Sequence, residues 1–428
     1  MDSVQEIART LPKNNSPVWL SELRDKNLAR VKQVGFPTVK DEDWKYTNIS
    51  SVVNRRYELA VKATDTVDRK ALKNFILDNT ITVVVVNGMM SQELSDVKAL
   101  PQGVSLTTFQ DALKSSSELK ELFLKYKPDQ ENVFIALNKA LTRDGLFLKV
   151  NRKTISEKLI HIIHVVSSLK TETMTLPRVM IALEESSESS ILESYVSLND
   201  ETRYFTNALT DIFLAQNSKV EYFQVQKQSL QSSHIGNTRV WQERDSRYHG
   251  FSFIAGGAVT RNNLDVVLNG EGAECILNAL YSVYGTQHVD NHTSVDHRVP
   301  NCTSNQLYKG ILNGSSRAVF NGKIFVQSIA QKTNSYQLNK NLLLGKDCRV
   351  DTKPQLEIFA DDVKCTHGAT IGQLNEDEVF YLRTRAIAKQ DAVRMLARGF
   401  AEDVLNQIPN NAVHQKLTEF LEPSFAQL

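Results

Sequence analysis

Hydrophobic positions recur at a helical period near both ends of the chain and at a strand period between them. Near the start, Leu20, Leu23, Val31 and Val34 trace one helix face, interrupted by Asn27. Ser16 can cap this helix, Pro17 suits its first position, and Gly35 followed by Pro37 stops it. From about Gly145 short apolar runs recur between turns, at 146–150, 191–198, 220–225, 264–268, 276–284 and 319–326. The apolar stretches 83–86 and 159–166 read as further buried strands. Asn269-Gly270, Asn313-Gly314 and Asn321-Gly322 mark turns, and no helix pattern separates the runs. This argues against alternating β-α units and for an all-β body. The spacing leaves a sandwich, a barrel and a parallel β-helix open. Polar residues inside the stretch 304–311 favour stacked coils, which tolerate Asn ladders better than a sandwich core does. The end is helical again: Asn375 is placed as an N-cap with Glu378 in the capping-box position. After a break near Ala386, Val393, Leu396, Ala397, Phe400, Val404 and Ile408 line one face, and Pro409 follows the stop. The expected division is a mainly helical region 1–140, a β core 141–374 and a helical region 375–428.

Charge narrows the partners. Fifty Lys plus Arg against forty-nine Asp plus Glu give a net charge of +1, which leaves no electrostatic footprint for nucleic acid. No window approaches the roughly 20 apolar residues that span a bilayer, and the acidic start lacks the apolar segment of a secretory signal. Cys275, Cys302, Cys348 and Cys365 form no CxxC pair, which argues against a disulfide framework or a four-cysteine metal site. A reducing cytoplasm fits best.

The chain has no GxxxxGK[ST], GxGxxG, HExxH or GxSxG, which leaves few routes to an ordinary enzyme. Two groups carry candidate metal chemistry. Cys365 and His367 alternate with Lys364 and Thr366, so on a strand they share a face and form a ligand pair suited to iron or zinc. His288, Asp290 and His292 share a strand face, with His297 on the other and Cys302 shortly after. This group reads mainly as hydrogen-bonding rungs, with a metal site as the alternative. His161 and His164 fall on opposite faces of an apolar strand and read as structural, while Trp44 and Tyr46 are expected to pin their turn to the core. A competing class is a polysaccharide-active β-helix enzyme, for which Asp290, Asp296, Asp361 and Asp362 would supply a carboxylate or calcium site.

Several stretches together resemble one family. They are Trp44-Lys45-Tyr46-Thr47, the run from His288 to His297, Tyr308-Lys309-Gly310, Cys365-Thr366-His367-Gly368 within 361–372, and Ala397-Arg398-Gly399-Phe400-Ala401. The chain is similar here to the SufB/SufD proteins of the SUF iron–sulfur cluster assembly system, and to the SufD branch in carrying His367. The resemblance implies a right-handed parallel β-helix flanked by helical domains. It implies a non-catalytic scaffold that pairs with SufB and docks the SufC ATPase through the C-terminal helices, with Val393, Arg394, Leu396 and Phe400 as contacts. A nascent iron–sulfur cluster would form at the SufB junction, with His367 first and Cys365 second among this chain's contributions. No cofactor is expected to stay bound to the chain alone, and in isolation a homodimer through the same edge is expected.

Overall fold

The computed structural model describes residues 17–60, 67–115, 117–125, 131–167 and 172–426; the expected cap Ser16 lies outside them. Four strands precede the main body: β1 (Glu58–Leu59), β2 (Ile81–Val86), β3 (Met89–Ser91) and β4 (Val104–Thr108). The helices among them are α1 (Val18–Val34), α2 (Ser50–Val53), α3 (Phe109–Ser115), α4 (Glu118–Leu124) and α5 (Val133–Leu141). From there the chain winds into a parallel β-solenoid of about seven turns.

Each turn gives one strand to each of two sheets. The first sheet runs through β5 (Leu146–Val150), β8 (Arg178–Leu183), β10 (Tyr204–Leu214), β12 (Ser233–Gln242), β14 (Val259–Leu268), β16 (His288–His297), β18 (Arg317–Val326) and β20 (Arg349–Ile358). The second runs through β6 (Ile155–Val166), β9 (Glu188–Ser197), β11 (Lys219–Lys227), β13 (Arg247–Ile254), β15 (Glu274–Val283), β17 (Thr303–Leu312), β19 (Asn334–Leu343) and β21 (Lys364–Gly372). The short β7 (Thr173–Thr175) joins β1 to β10. Paired residues stand one coil apart, from 26 residues (Ser233 with Val259) to 33 (Leu146 with Val179). This uneven coil length is why the repeat does not show as a fixed period in the sequence.

In-register pairing stacks like positions into columns. Gln306, Gln337 and His367 form one, and Ser304, Ser335 and Cys365 another. At the first coils the interior is apolar, with Ile160, Ile162, Ile181 and Ile191 in contact. One carboxylate lies within: Glu193 accepts from Tyr195 OH (2.7 Å), Thr210 Oγ1 (2.9 Å) and Tyr222 OH, and its Oε1 stands 2.8 Å from His164 Nε2. His161 bonds Ser194 Oγ (2.8 Å), and its register partner is Leu192 rather than Tyr195, so the two histidines do face opposite ways. Burial pushes His161 down to about 3, which keeps it neutral. Asn269-Gly270 and Asn313-Gly314 lie at turns, but Asn321-Gly322 sits inside β18, contrary to the turn expected there. A Cβ on Gly322 would stand 2.0 Å from the Gln337 amide nitrogen, so a larger residue there would have to displace that side chain.

The two ends of the solenoid differ. At the first, β2 adds parallel to β6 and β4 antiparallel to β5, so the strands of the N-terminal region close both sheets. At the other end β20 and β21 have no further strand beside them among the described residues.

Helices clamp the sides. The buried face of α1 is Leu20, Leu23, Asn27 and Val31; Asn27 is part of it, because its amide donates to Leu23 O (2.8 Å). Helix α1 packs on α5, which is capped by Asn132 and sits over β10. Beneath α5 lies a desolvated charge cluster in which Glu131 pairs with Lys139 and Arg239, and Asp211 with Arg178 and Arg239 (Nε–Oδ1 2.6 Å). At the C-terminal side are α6 (Glu376–Thr384), α7 (Lys389–Leu405) and α8 (Asn411–Phe425). Asn375 caps α6 by accepting from Asp377 N (2.9 Å), and the expected break falls at Ala386, in the left-handed region at φ +65°. Helices α7 and α8 cover the outer face of the second sheet, setting Ala397, Ala401, Val404, Leu417 and Leu421 against Phe253, Leu280, Ile311 and Leu342.

The charge cluster gives a first prediction. Burial alone would raise the Asp211 carboxyl, but Arg178 and Arg239 outweigh it and hold it well below the usual range. Asp211→Asn leaves the Arg178 guanidinium buried without its carboxylate and Arg239 with that of Glu131, and urea denaturation is expected to show a loss of about 3–5 kcal/mol. Because the folded carboxyl titrates below the unfolded value of roughly 4, its contribution is complete above that pH and is lost as pH falls through the folded value. The gap between wild type and variant should therefore narrow on acidification below about pH 4.

Candidate functional site

Strand β21 pairs on one side only, with β19, and it carries both residues of the Cys-X-His pair. Cys365 aligns with Ser335 and His367 with Gln337, both partners being buried, so the two side chains continue interior columns and share a face as expected. Among the described residues no further coil covers them. His367 is exposed, whereas Cys365 is half-buried against the small cluster of Ile324, Val326, Ala330 and Ala360. Burial pushes the Cys365 thiol up, only partly offset by the Ser335 backbone N–H, so it is protonated near neutral pH. The column behind His367 is polar: Thr293 Oγ1 donates to Gln306 Oε1 (2.8 Å), and the Gln337 amide lies 3.4 Å from that oxygen. Gln337 Oε1, at the last covered rung, is buried without a partner.

The histidine-rich run lies elsewhere and serves another purpose. On the outer face of β16, His288, Asp290 and His292 meet the segment around Trp44. Thr47 Oγ1 donates to Asp290 Oδ2 (2.5 Å), so His288 Nε2, 2.9 Å away, must donate to that hydroxyl. Arg261 bonds Asp290 (2.8 Å) and Asp43 O (2.6 Å) and lies 3.8 Å over the Trp44 ring. His292 Nε2 stands 3.0 Å from the other oxygen of Asp290. Burial lowers His288; the Asp290 carboxyl, although burial raises it, is held low by Arg261 and His292. His297 faces inward to Ser304 Oγ (3.0 Å), and burial pushes it down to about 4. The structure thus brings His288 and His292 to one carboxylate and leaves His297 on the opposite face. Trp44 is buried as expected, but Tyr46 is 43 % exposed; Thr47, at 1 %, makes the second anchor instead. Sequence reasoning gave Thr47 and Arg261 no role of their own, because the contacts of Thr47 with Asp290 and of Arg261 with Asp43 join segments more than two hundred residues apart.

The four aspartates of the competing enzyme reading stand apart. Asp290 belongs to the Trp44 anchor, Asp296 pairs with Arg298 (2.7 Å), and Asp361 and Asp362 lie exposed in the turn before β21. Among the described residues, no three His, Cys, Asp or Glu side chains gather into a group able to hold a metal ion.

On the C-terminal helices, Val393 and Leu396 are half-buried, and Phe400 packs inward under Lys309. Arg394 does face a cleft of about 330 Å³ that also involves Asp391, Met395, Arg398, Glu422 and Phe425. Met395 is 51 % exposed there, and Arg398 pairs with Glu422 across the cleft. Met395 was missed because the apolar stripe drew attention to the face that packs on the sheet.

Comparison with known proteins covers most of the chain. The model of the SufBD core domain of SUF-system FeS cluster assembly matches residues 164–400, and that of the SufBD N-terminal region matches 4–162. The chain belongs to the SufBD family. A SufBD family protein of Synechocystis is 34 % identical over 97 % of this chain and 95 % of its own length. The iron–sulfur cluster assembly protein SufD of Escherichia coli is 32 % identical over 91 % of this chain and 90 % of its own, and SufD of Bacillus subtilis is 27 % identical over 96 % and 95 %. A role in SUF-system iron–sulfur cluster assembly follows from the family. Among the described residues, no helix is long and apolar enough to cross a membrane.

The Trp44 anchor yields a second prediction. Thr47→Val keeps the shape while leaving His288 and Asp290 each short of a partner; the expected loss is about 1–3 kcal/mol of unfolding free energy. An unchanged denaturation midpoint would show that the anchor contributes nothing.

Proposed function

We propose that this chain is a non-catalytic scaffold subunit of the SUF system, pairing with SufB through the open end of its solenoid. The observation that carries the reading is β21, an edge strand presenting Cys365 and His367 on a face that the coils elsewhere keep covered. An unpaired edge supplies backbone donors and acceptors for a second solenoid. The nascent iron–sulfur cluster, which is cargo and not a resident group, would form transiently at that junction. His367 is the favoured ligand because a neutral imidazole binds iron without first losing a proton. Cys365 is second, because partial burial pushes its thiol up and favours the protonated form. In the absence of SufB the same edge fits a homodimer, and the four free cysteines suit a reducing cytoplasm.

The cleft on α7 and α8 fits the docking of the SufC ATPase. Met395 gives an apolar floor, and the rim mixes Arg394 and Arg398 with Asp391 and Glu422. One apolar side chain of the partner, flanked by polar groups, suits such a site.

Two experiments test these assignments. In His367→Ala the complex with SufB and SufC should assemble while maturation of a dependent iron–sulfur enzyme is lost; normal maturation in cells lacking other assembly routes removes His367 from the mechanism. Deleting the helices is a poor test of docking, because it would bare the apolar face of Phe253, Leu280 and Ile311. Met395→Asp instead should weaken SufC binding at least about tenfold, the effect of about 1.4 kcal/mol, with the melting temperature kept. Unchanged affinity would place the docking site elsewhere.

A further inference from the structure

Two of the stretches that carry the family resemblance meet at one contact. Lys309 projects from the outer face of β17 into the apolar layer beneath α7, among Leu280, Ile311, Ala401 and Val404. Its side chain is only 3 % exposed, its Nζ donates to Asp403 Oδ2 (2.7 Å), and the same nitrogen lies 3.9 Å from the centre of the Phe400 ring. Burial lowers Lys309 despite the nearby carboxylate, so the charge is held at a desolvation penalty. An apolar side chain of similar length would fill the layer as well. What the ammonium adds is position: turning or sliding α7 would strand a charge among aliphatic groups, so the contact allows one seat for the helix.

The neighbours of Lys309 grip the next strand. Asn339 Nδ2 of β19 donates to Tyr308 O (3.1 Å), and Tyr281 OH reaches Asn341 Oδ1 of β19 (2.6 Å). That second bond crosses the space over Gly310, where a Cβ would stand 2.1 Å from the Tyr281 ring. Strand β19 in turn is the partner of β21, which carries Cys365 and His367. The triplet Tyr308-Lys309-Gly310 therefore holds the helix with its outward residue and β19 through its inward ones. The distance from β17 to β21 is two strand spacings, about 10 Å.

Resting on the docking reading above, we propose that Lys309 is a positioning residue that locks α7 to β17, so that movement of the helix is carried into β19 and β21 and alters access to the proposed cluster-assembly face. The apolar layer holds the helix down, and the Lys309–Asp403–Phe400 contact transmits its displacement.

The test uses the assembled complex with the sister scaffold and the ATPase, and Cys365 as reporter. Cys275, Cys302 and Cys348 are buried, so slow maleimide labelling of this chain reports on Cys365. Wild type should change its labelling rate on addition of ATP. In Lys309→Met the ATPase should bind with unchanged affinity, but the ATP-dependent change should fall at least about fivefold, the lower end of common coupling strengths. Lys309→Arg should restore it, and Asp403→Asn, on the exposed side of the helix, should reproduce the loss should Lys309→Met fold poorly. A wild-type response preserved in both Lys309→Met and Asp403→Asn overturns this inference and leaves the docking reading intact. No ATP response in the wild-type complex overturns the inference, and failure of the ATPase to bind wild type overturns the docking reading with it.

Discussion

Parallel strands stacked in register place each interior residue directly against the equivalent residue of the coil before and the coil after, and the rest of the structure depends on satisfying that requirement. Apolar columns meet it by contact, as at Ile160 and Ile191. Polar columns meet it only if each member finds a partner within its coil or the next, because no solvent enters to help. Glu193 shows the demanding case, with a carboxylate saturated by two tyrosines, a threonine and a histidine. The Gln306–Gln337–His367 column shows the other outcome: the chain of partners runs out where the coils stop, and the last side chain faces outward.

The two flanking regions are both packed on apolar side chains but are fixed in place differently. The N-terminal one adds to contacts such as Phe134 and Leu137 on Phe205 and Ile235 a set of buried charges, through Asp211, Arg239 and Glu131 beneath α5 and through Arg261 and Asp290 beside Trp44. Such contacts are specific in geometry and intolerant of losing one partner. The C-terminal hairpin of α7 and α8 rests mostly on aliphatic packing, which is forgiving in direction, with Lys309 supplying the fixed point. A firmly keyed cap at the closed end and a laterally packed hairpin at the side leave the β20 and β21 end uncovered among the described residues.

The elements were legible in the sequence where a local signal existed. Residues 159–166, the Asn375 cap, the break at Ala386 and the shared face of Cys365 and His367 depend on alternation, capping or turn chemistry within a few residues. The coil repeat was not legible, because turns of uneven length carry Ser233 to Val259 in 26 residues and Arg317 to Arg349 in 32. Asn321-Gly322 misled for a related reason, since a dipeptide that usually turns the chain is here a gap for a glutamine of the opposite sheet. The Trp44 anchor was half visible: the tryptophan announced itself, but Thr47 and Arg261 acquire meaning only when segments far apart in sequence touch.

The bare edge at β20 and β21 also bears on how the protein must be made. A lone chain displays two strands each paired on one side among the described residues, with Phe359 and Ile371 exposed close to them, and that is a template for joining any other extended segment. Folding alone does not retire this hazard; only association does. Synthesis of the chain in step with whatever closes its edge is therefore a matter of proteostasis, and a surplus of unpaired subunits is a load on chaperones and proteases.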